Sequence, residues 1–187
     1  MRVIAGSARG RKLYSPPGKR VRPTADRVKE ALFSTLTSRF GSFEGLTVLD
    51  LFAGSGALGI EALSRGAARA FFIDAHPESM ALTRKNLALT GLEPSATLLM
   101  MDAGKALHRF CSEGIHFDIL LVDPPYAEKK LSEQILQLLA DLLLLSRNGV
   151  IVFETDSRYE LSLPDLFHLD SRRVYGDTAL SFFELAE

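Results

Sequence analysis

The chain has a single cysteine, no tryptophan and no long charge-free apolar run. One cysteine cannot form an internal disulfide, which suits a reducing compartment, and we expect Cys111 to be a small buried side chain. No apolar run reaches the roughly 18 residues of a membrane helix, and the first residues lack the apolar core of a secretion signal. The four histidines have no close metal-ligand spacing. We therefore expect a cytoplasmic protein with no metal and no membrane contact.

Charge is distributed unevenly along the 187 residues. The net charge is only −1, but residues 1–30 hold nine basic and two acidic side chains, for +7, and the rest carries −8. A basic segment on an acidic body favours a polyanionic partner. Glycines 6, 10 and 18 predict a mobile loop that could follow a phosphate backbone. The residues predicted to bind nucleic acid are Arg2, Arg9, Arg11, Lys12, Arg20, Arg22 and Arg27.

Two short strands, 2–5 and 11–14, and a helix after Pro23 are predicted for this segment, so we interpret residues 1–42 as a basic extension. From residue 46 onward, apolar strands alternate with helices. Such alternation is typical of a parallel sheet covered on both faces. The last part of the chain departs from this alternation. Segments 167–175 and 179–185 flank a turn and predict an antiparallel hairpin. The body, residues 43–187, is thus a seven-stranded α/β domain. Its other predicted strands are 46–52, 70–74, 96–101, 117–123 and 150–154, and the helices between them are 57–65, 78–90, 103–111 and 131–145.

A glycine-rich turn follows the first strand of this body. Asp50 ends the strand, and Gly54-Ser55-Gly56 leads into the helix, where glycine lets the chain bend sharply and admit a ligand against bare backbone. Asp74 ends the second strand, where an acid can accept hydrogen bonds from both ribose hydroxyls of an adenosine. The pattern predicts a site for an adenosine-containing cofactor.

NAD and S-adenosylmethionine both contain adenosine, and Gly54, Gly56 and Gly59 formally fit the dinucleotide spacing. Asp50 favours the methyl donor, because a carboxylate there attracts a cationic amino-acid end and repels a pyrophosphate. Asp102, after the third strand, can accept from the adenine amine or cap the next helix. The predicted donor-binding residues are Asp50, Ala53, Gly54, Ser55, Gly56, Asp74, Asp102 and Asp123.

The segment Asp123-Pro124-Pro125-Tyr126 closes the fourth strand. The carboxylate only accepts hydrogen bonds, and the prolines have no N–H, so the turn presents acceptors without competing donors. The Asp123 side chain and the Pro124 carbonyl can take both hydrogens of a ring-conjugated amine and free its lone pair for a methyl carbon. Tyr126 can stack on the ring. We therefore predict Asp123, Pro124 and Tyr126 as catalytic residues for methylation of a nucleobase amine.

Over nearly its whole length the chain resembles the bacterial RsmD-type methyltransferases, which methylate the N2 amine of a guanine in 16S ribosomal RNA. The resemblance implies a Rossmann-like, S-adenosylmethionine-dependent fold, donor binding at the Gly54–Gly56 turn and amine capture at 123–126. It also implies action on RNA within an assembling small (30S) subunit. The motifs that carry it are Arg2–Gly6 with Arg9-Gly10-Arg11, the segment Arg22–Phe33, the segment Asp50–Ala62, Asp123–Tyr126 and Tyr175–Thr178.

Two other functions remain as alternatives. One is methylation of DNA at adenine N6 or cytosine N4, although the chain has no obvious extra domain for reading a duplex. The other is a non-catalytic RNA-binding assembly factor that retains a methyltransferase shell. Nothing in the sequence demands a dimer, and we expect a monomer.

Overall fold

The computed structural model of the protein describes residues 1–15, 23–124 and 129–186. Helices and strands alternate through most of this range, as the sequence predicts. The helices are α1 (Pro23–Phe40), α2 (Ala57–Ser64), α3 (Pro77–Thr90), α4 (Ala103–Ser112) and α5 (Lys129–Asp141). The strands are β1 (Thr47–Leu51), β2 (Arg69–Asp74), β3 (Ala96–Met100), β4 (Phe117–Val122), β5 (Leu145–Asp156), β6 (Phe167–Tyr175) and β7 (Thr178–Leu185).

The seven strands form one sheet in the order β3-β2-β1-β4-β5-β7-β6. Strands β1 to β5 are parallel, and β7 pairs antiparallel with both β5 and β6. The predicted parallel sheet with a closing antiparallel hairpin is therefore confirmed. Because β1 is hydrogen-bonded to both β2 and β4, the strand order reverses beside it, and open α/β sheets bind ligands at such a reversal.

Apolar side chains fill both faces of the sheet. On one face, Phe72 and Phe182 belong to the cluster that packs under α1, α2 and α3. On the other face, the rings of Phe71 and Phe117 from the sheet and Phe110 from α4 meet edge to face, with centroids 5.0 to 5.6 Å apart. Apolar residues of α5 belong to the same cluster. Edge-to-face contacts of this kind add to the free energy of burial. Strands that are apolar on both sides thus occupy the centre of a three-layer fold.

Several sequence expectations differ from the structure. The last helix before β5 ends at Asp141 instead of residue 145, and Leu143 has a positive φ of 50°. Leu145 pairs with Phe117 of β4 instead, so β5 begins there and is longer than predicted. Cys111 is exposed on α4, so the prediction of a buried cysteine was wrong. In each case sheet pairing or helix orientation overrides the local apolar pattern.

The N-terminal segment, residues 1–15, is packed against the body. Its two predicted strands reduce to one antiparallel bridge, Arg2 with Lys12, and Val3 and Leu13 are buried in the core. Ser7 N–H donates to the Ser64 carbonyl at 2.7 Å. The mobile loop expected around its first two glycines is therefore replaced by a docked turn, while Gly18 lies outside the described residues. The segment and the body share one core, and a domain boundary at residue 42 stays a prediction.

The buried carboxylate of Glu61 on α2 holds this segment in place. Its two oxygens accept the backbone N–H groups of Ile4 at 2.8 Å and Ala5 at 3.0 Å. Arg65 Nε lies 2.8 Å and Lys29 Nζ 3.5 Å from it, so the buried negative charge is compensated. Burial lowers the pKa of Lys29, and the charge of Glu61 opposes that shift. The network joins the first residues of the chain, α1 and α2.

Two glycines of the docked turn allow a matched test of this packing. Both Gly6 and Gly10 have φ of 83°, but a Cβ at Gly6 would lie 1.7 Å from the Ser64 carbonyl oxygen, and one at Gly10 would meet nothing within 4 Å. We expect Gly10→Ala to cost about 1 kcal/mol for the backbone conformation alone. Gly6→Ala should cost roughly 3 kcal/mol, because steric overlap is added. Urea unfolding of both variants measures the difference. Equal costs would mean that the turn is not docked on α2.

Candidate active site

A cleft of about 590 Å³ lies along the carboxyl ends of β1, β2 and β4. The sheet brings these ends together because β1 pairs with both of the other strands. The predicted residues that line the cleft include Asp50, Gly54, Asp74, Asp102, Asp123 and Pro124. Residues from distant parts of the sequence therefore meet at one edge of the sheet.

The turn between β1 and α2 forms the floor of the cleft. Phe52 has a φ of 132°, a strained conformation of the kind found at functional sites. At Gly56, with φ of 75°, an added Cβ would lie 2.7 Å from the methyl group of Thr83, so a side chain there would displace α3. Thr83 Oγ1 also donates to the Gly54 carbonyl at 3.1 Å. The turn is thus held in one shape by helix α3.

Asp74 ends β2 and fixes the same turn. One of its carboxylate oxygens accepts Gly54 N–H at 2.9 Å, and the other accepts His76 N–H at 2.9 Å. Each carboxylate oxygen has a further lone pair. The side chain can therefore shape the turn and still accept hydroxyl donors from a ligand in the cleft.

Asp50 is buried at the end of β1, and its Oδ2 accepts Gly59 N–H at 2.8 Å. Burial raises the pKa of this carboxyl to about 7, the Gly59 N–H opposes the shift and the charge of Asp74 adds to it. Its ionisation is therefore sensitive to the charge of a ligand near neutral pH. A cation placed beside it would favour the carboxylate.

Asp102 combines the two roles that the sequence left open. Its Oδ1 accepts Lys105 N–H at 3.2 Å, so it is the N-cap of α4. It also lines the cleft beyond the end of β3. Capping uses one oxygen and leaves the other carboxylate oxygen able to accept a hydrogen bond from a ligand.

Asp123 and Pro124 follow β4, where Asp123 is half-buried and Pro124 is buried. Both line the cleft that Asp50 and Asp74 line. Tyr126 lies outside the described residues, so its stacking role stays a prediction. The same is true of Arg20 and Arg22. The other predicted nucleic-acid residues, Arg2, Arg9, Arg11, Lys12 and Arg27, have exposed side chains.

Sequence reasoning missed one wall of the cleft. Met1, Lys29 and Leu32 line it together with Glu154 of β5. Glu154 could have been found, because it is an acid near the carboxyl end of a buried strand, as Asp74 is. Met1, Lys29 and Leu32 could not have been predicted from the sequence. Their position at the cleft depends on how α1 and the N-terminal segment pack on the body.

Within the described ranges no helix is both long and apolar enough to cross a bilayer. In the same ranges, no group of three or more His, Cys, Asp or Glu residues is placed to hold a metal ion.

Comparison with known proteins gives full-length relatives. Residues 1–184 match the family described as "Conserved hypothetical protein 95". The chain is 38% identical over 186 residues to YlbH of Bacillus subtilis, named as a candidate rRNA methyltransferase, with 98% of each chain covered. It is 35% identical over 185 residues to ribosomal RNA small subunit methyltransferase D of Escherichia coli, with 98% of this chain and 89% of the relative covered.

Solved structures agree with these relatives. The candidate methyltransferase yhhF from Escherichia coli superposes with a TM-score of 0.84 at 35% identity, covering 99% of this chain and 97% of that one. A more distant protein, the candidate methyltransferase SMU.776 in complex with SAH, shares the fold, with a TM-score of 0.65 at 18% identity, covering 88% of this chain and 50% of that one.

The sheet order, the strained turn after β1 and the acids at the strand ends define a Rossmann-like class I methyltransferase. Within that class, the chain belongs to the conserved hypothetical protein 95 family, the RsmD-type family that its sequence motifs indicate.

The raised pKa of Asp50 has a measurable effect on stability. In the unfolded chain this carboxyl ionises with an ordinary pKa near 3.8, and in the folded protein with a pKa of about 7. The protonated form therefore stabilises the fold fully below pH 3.8, and that contribution is lost as the pH rises to about 7. Asp50→Asn does not titrate and keeps an acceptor for Gly59 N–H.

We expect the stability of Asp50→Asn relative to the wild type to increase by roughly 2 to 3 kcal/mol between pH 5 and pH 8. Urea unfolding of both proteins across this range measures the change. A difference that is independent of pH would show that Asp50 titrates normally.

Proposed function

We propose that this protein transfers a methyl group from S-adenosylmethionine to the exocyclic N2 amine of a guanine in 16S ribosomal RNA. The observation that carries the proposal is that Asp123 and Pro124 share one cleft with Asp50 and Asp74. An amine held at the end of β4 would lie beside a donor held at the ends of β1 and β2. Positioning two bound reactants in this way is a large part of catalysis.

The residues of the cleft fit the methyl donor. Asp74 would accept the ribose hydroxyls, and Asp102 would accept the adenine amine. The partly ionised carboxyl of Asp50 would face the ammonium of the amino-acid end. Ala53, Gly54 and Ser55 line the cleft, and their backbone would lie against the ligand. Gly56 is not among the lining residues; it would serve the same site by letting the turn pack against Thr83. When bound, the donor supplies an electrophilic methyl group on a sulfonium.

The acceptor amine would be activated by hydrogen bonding. The Asp123 carboxylate and the Pro124 carbonyl would accept its two N–H groups, which withdraws the lone pair from the purine ring. The amine loses a proton only as the new N–C bond forms, so no strong base is required. Tyr126 would stack on the guanine, and Asp123 would also border the donor.

RNA would be bound by basic side chains near the start of the chain. These are Arg2, Arg9, Arg11, Lys12, Arg20, Arg22 and Arg27. A base inside a duplex cannot reach a cleft at the edge of a sheet, so the guanine must be unpaired or flipped out. The named activity of the E. coli relative supports a small-subunit RNA substrate. We further propose that the enzyme acts as a monomer in the cytoplasm, on a 30S subunit or an assembly intermediate.

Mass mapping of 16S ribosomal RNA from cells lacking the protein tests this function directly. One guanine should lose its N2 methyl group, and expression of the wild-type protein should restore it. Purified protein with labelled donor should methylate RNA and leave DNA unlabelled. Labelled DNA would favour the DNA methyltransferase alternative, and an absence of all labelling would favour a non-catalytic assembly factor.

Removing the amine acceptor at β4 should separate donor binding from transfer. We expect Asp123→Ala to bind the donor with an affinity within several-fold of the wild type and to lose at least about 100-fold in single-turnover rate. Calorimetry measures binding, and labelled methyl transfer to RNA measures the rate. Asp170→Ala, which removes an exposed acid on β6, is the control and should retain full activity. A normal rate in Asp123→Ala would contradict amine capture at this turn.

Charge reversal tests the basic segment. Changing Arg9, Arg11 and Lys12 to Glu should weaken RNA binding and reduce the slope of log affinity against log salt by about two to three, since each lost phosphate contact removes roughly 0.7 to 0.9. The control variant reverses Lys105 and Arg109 of α4 and Arg147 of β5, which are exposed cations far from the N-terminal segment in sequence. It makes the same change in net charge. If both triple variants reduce RNA binding and the salt slope equally, the N-terminal segment does not contact RNA specifically.

A further inference from the structure

One buried side chain connects the basic N-terminal segment to the turn that floors the cleft. Asn86 lies on α3 and has no exposed surface. Its Nδ2 donates to the Tyr14 carbonyl at 3.0 Å and to the Ser55 carbonyl at 2.8 Å, and its Oδ1 accepts Tyr14 N–H at 2.8 Å. Ser55 belongs to the proposed donor-binding turn, and Tyr14 belongs to the returning arm of the N-terminal segment.

This side chain acts as a peptide group would in a sheet. It pairs with both backbone groups of Tyr14, as a neighbouring strand does, and its second amide hydrogen is used by Ser55. Both N–H groups and the oxygen therefore have partners. Loss of the amide would leave three backbone groups of two separate segments without this partner, and the cost is highest at the buried Ser55 carbonyl.

Two other residues of α3 each make only one of these contacts, either with the donor turn or with the N-terminal segment. Thr83, one turn earlier, bonds the Gly54 carbonyl of the same donor turn and makes no hydrogen bond to the N-terminal segment among those found in the described residues. The Lys85 ammonium lies 3.7 Å from the centre of the Tyr14 ring but is exposed. The helix therefore offers one residue that contacts the turn, one that contacts the segment and one that contacts both.

We propose that Asn86 is a positioning residue that couples docking of the N-terminal segment to the shape of the donor-binding turn. The identity of the ligand in the turn rests on the proposed function. A donor bound against the Gly54–Gly56 turn restrains it further, which strengthens the bonds of Asn86 and so stabilises the segment. By reciprocity, RNA that holds the docked segment increases donor affinity by the same factor.

Hydrogen exchange of the wild-type protein with and without S-adenosylhomocysteine tests the coupling. Saturating ligand should slow exchange of the Tyr14 amide and its neighbours in 11–14 by about fivefold or more, the range expected of ordinary couplings. This measurement needs no variant and no RNA. Unchanged exchange in 11–14, with the ligand bound, would overturn the proposal.

Three variants on α3 locate the coupling. Thr83→Val and Asn86→Ala should each weaken S-adenosylhomocysteine binding about tenfold, because each frees the donor turn. Ligand-dependent protection of 11–14 should persist in Thr83→Val and disappear in Asn86→Ala. Lys85→Ala removes only an exposed, weak contact with the Tyr14 ring, and should change ligand affinity by less than about twofold. Protection that persists in Asn86→Ala would overturn the role of this residue.

The outcomes distinguish this proposal from the proposed function. If the ligand binds and protects 11–14 but no RNA is methylated, the function is wrong and the coupling stands. If RNA is methylated but protection does not reach 11–14, the coupling alone is wrong. A wild-type protein that does not bind S-adenosylhomocysteine would overturn both.

Discussion

Parallel pairing of β1 with β2 on one side and β4 on the other is the constraint on which the site depends. It sets the carboxyl ends of three strands side by side, and so places Asp50, Asp74 and Asp123 along one cleft. These three acids have different surroundings. Asp50 is buried with a raised pKa, Asp74 holds backbone N–H groups, and Asp123 is half-buried beside a proline. One edge of the sheet can therefore serve a cationic ligand end, a ribose and an amine.

Buried polar contacts make the N-terminal segment part of this arrangement. Glu61 holds its first strand-like arm on α2, and Asn86 holds its second on α3. Both helices flank the donor turn, and Met1 itself lines the cleft. The segment that would contact RNA and the turn that would contact the donor are thus supported by the same two helices.

Much of the fold follows from the sequence. Alternating apolar strands and helices predict the sheet, the glycines and acids predict its functional edge, and local patterns locate most element ends within a few residues. What could not be predicted depends on contacts distant in sequence. The docking of residues 1–13 depends on the carboxylate of Glu61. In the sequence, nothing distinguishes this acid from any other acid on a helix. The pKa of Asp50 depends on burial, and the length of β5 depends on its pairing with β4 and β7. Glu154 could have been predicted, because it is an acid near the carboxyl end of a buried strand.

The proposed reaction requires the acids at the ends of β1 and β2 and the turn after β4 to act in one cleft. A crystal structure of the protein with S-adenosylhomocysteine tests it most directly. We expect the ribose hydroxyls to bond to Asp74 and the sulfur atom to face the Pro124 carbonyl, with room between sulfur and oxygen for a methyl group. A ligand bound outside this cleft, or one whose sulfur faces away from Asp123 and Pro124, would contradict it.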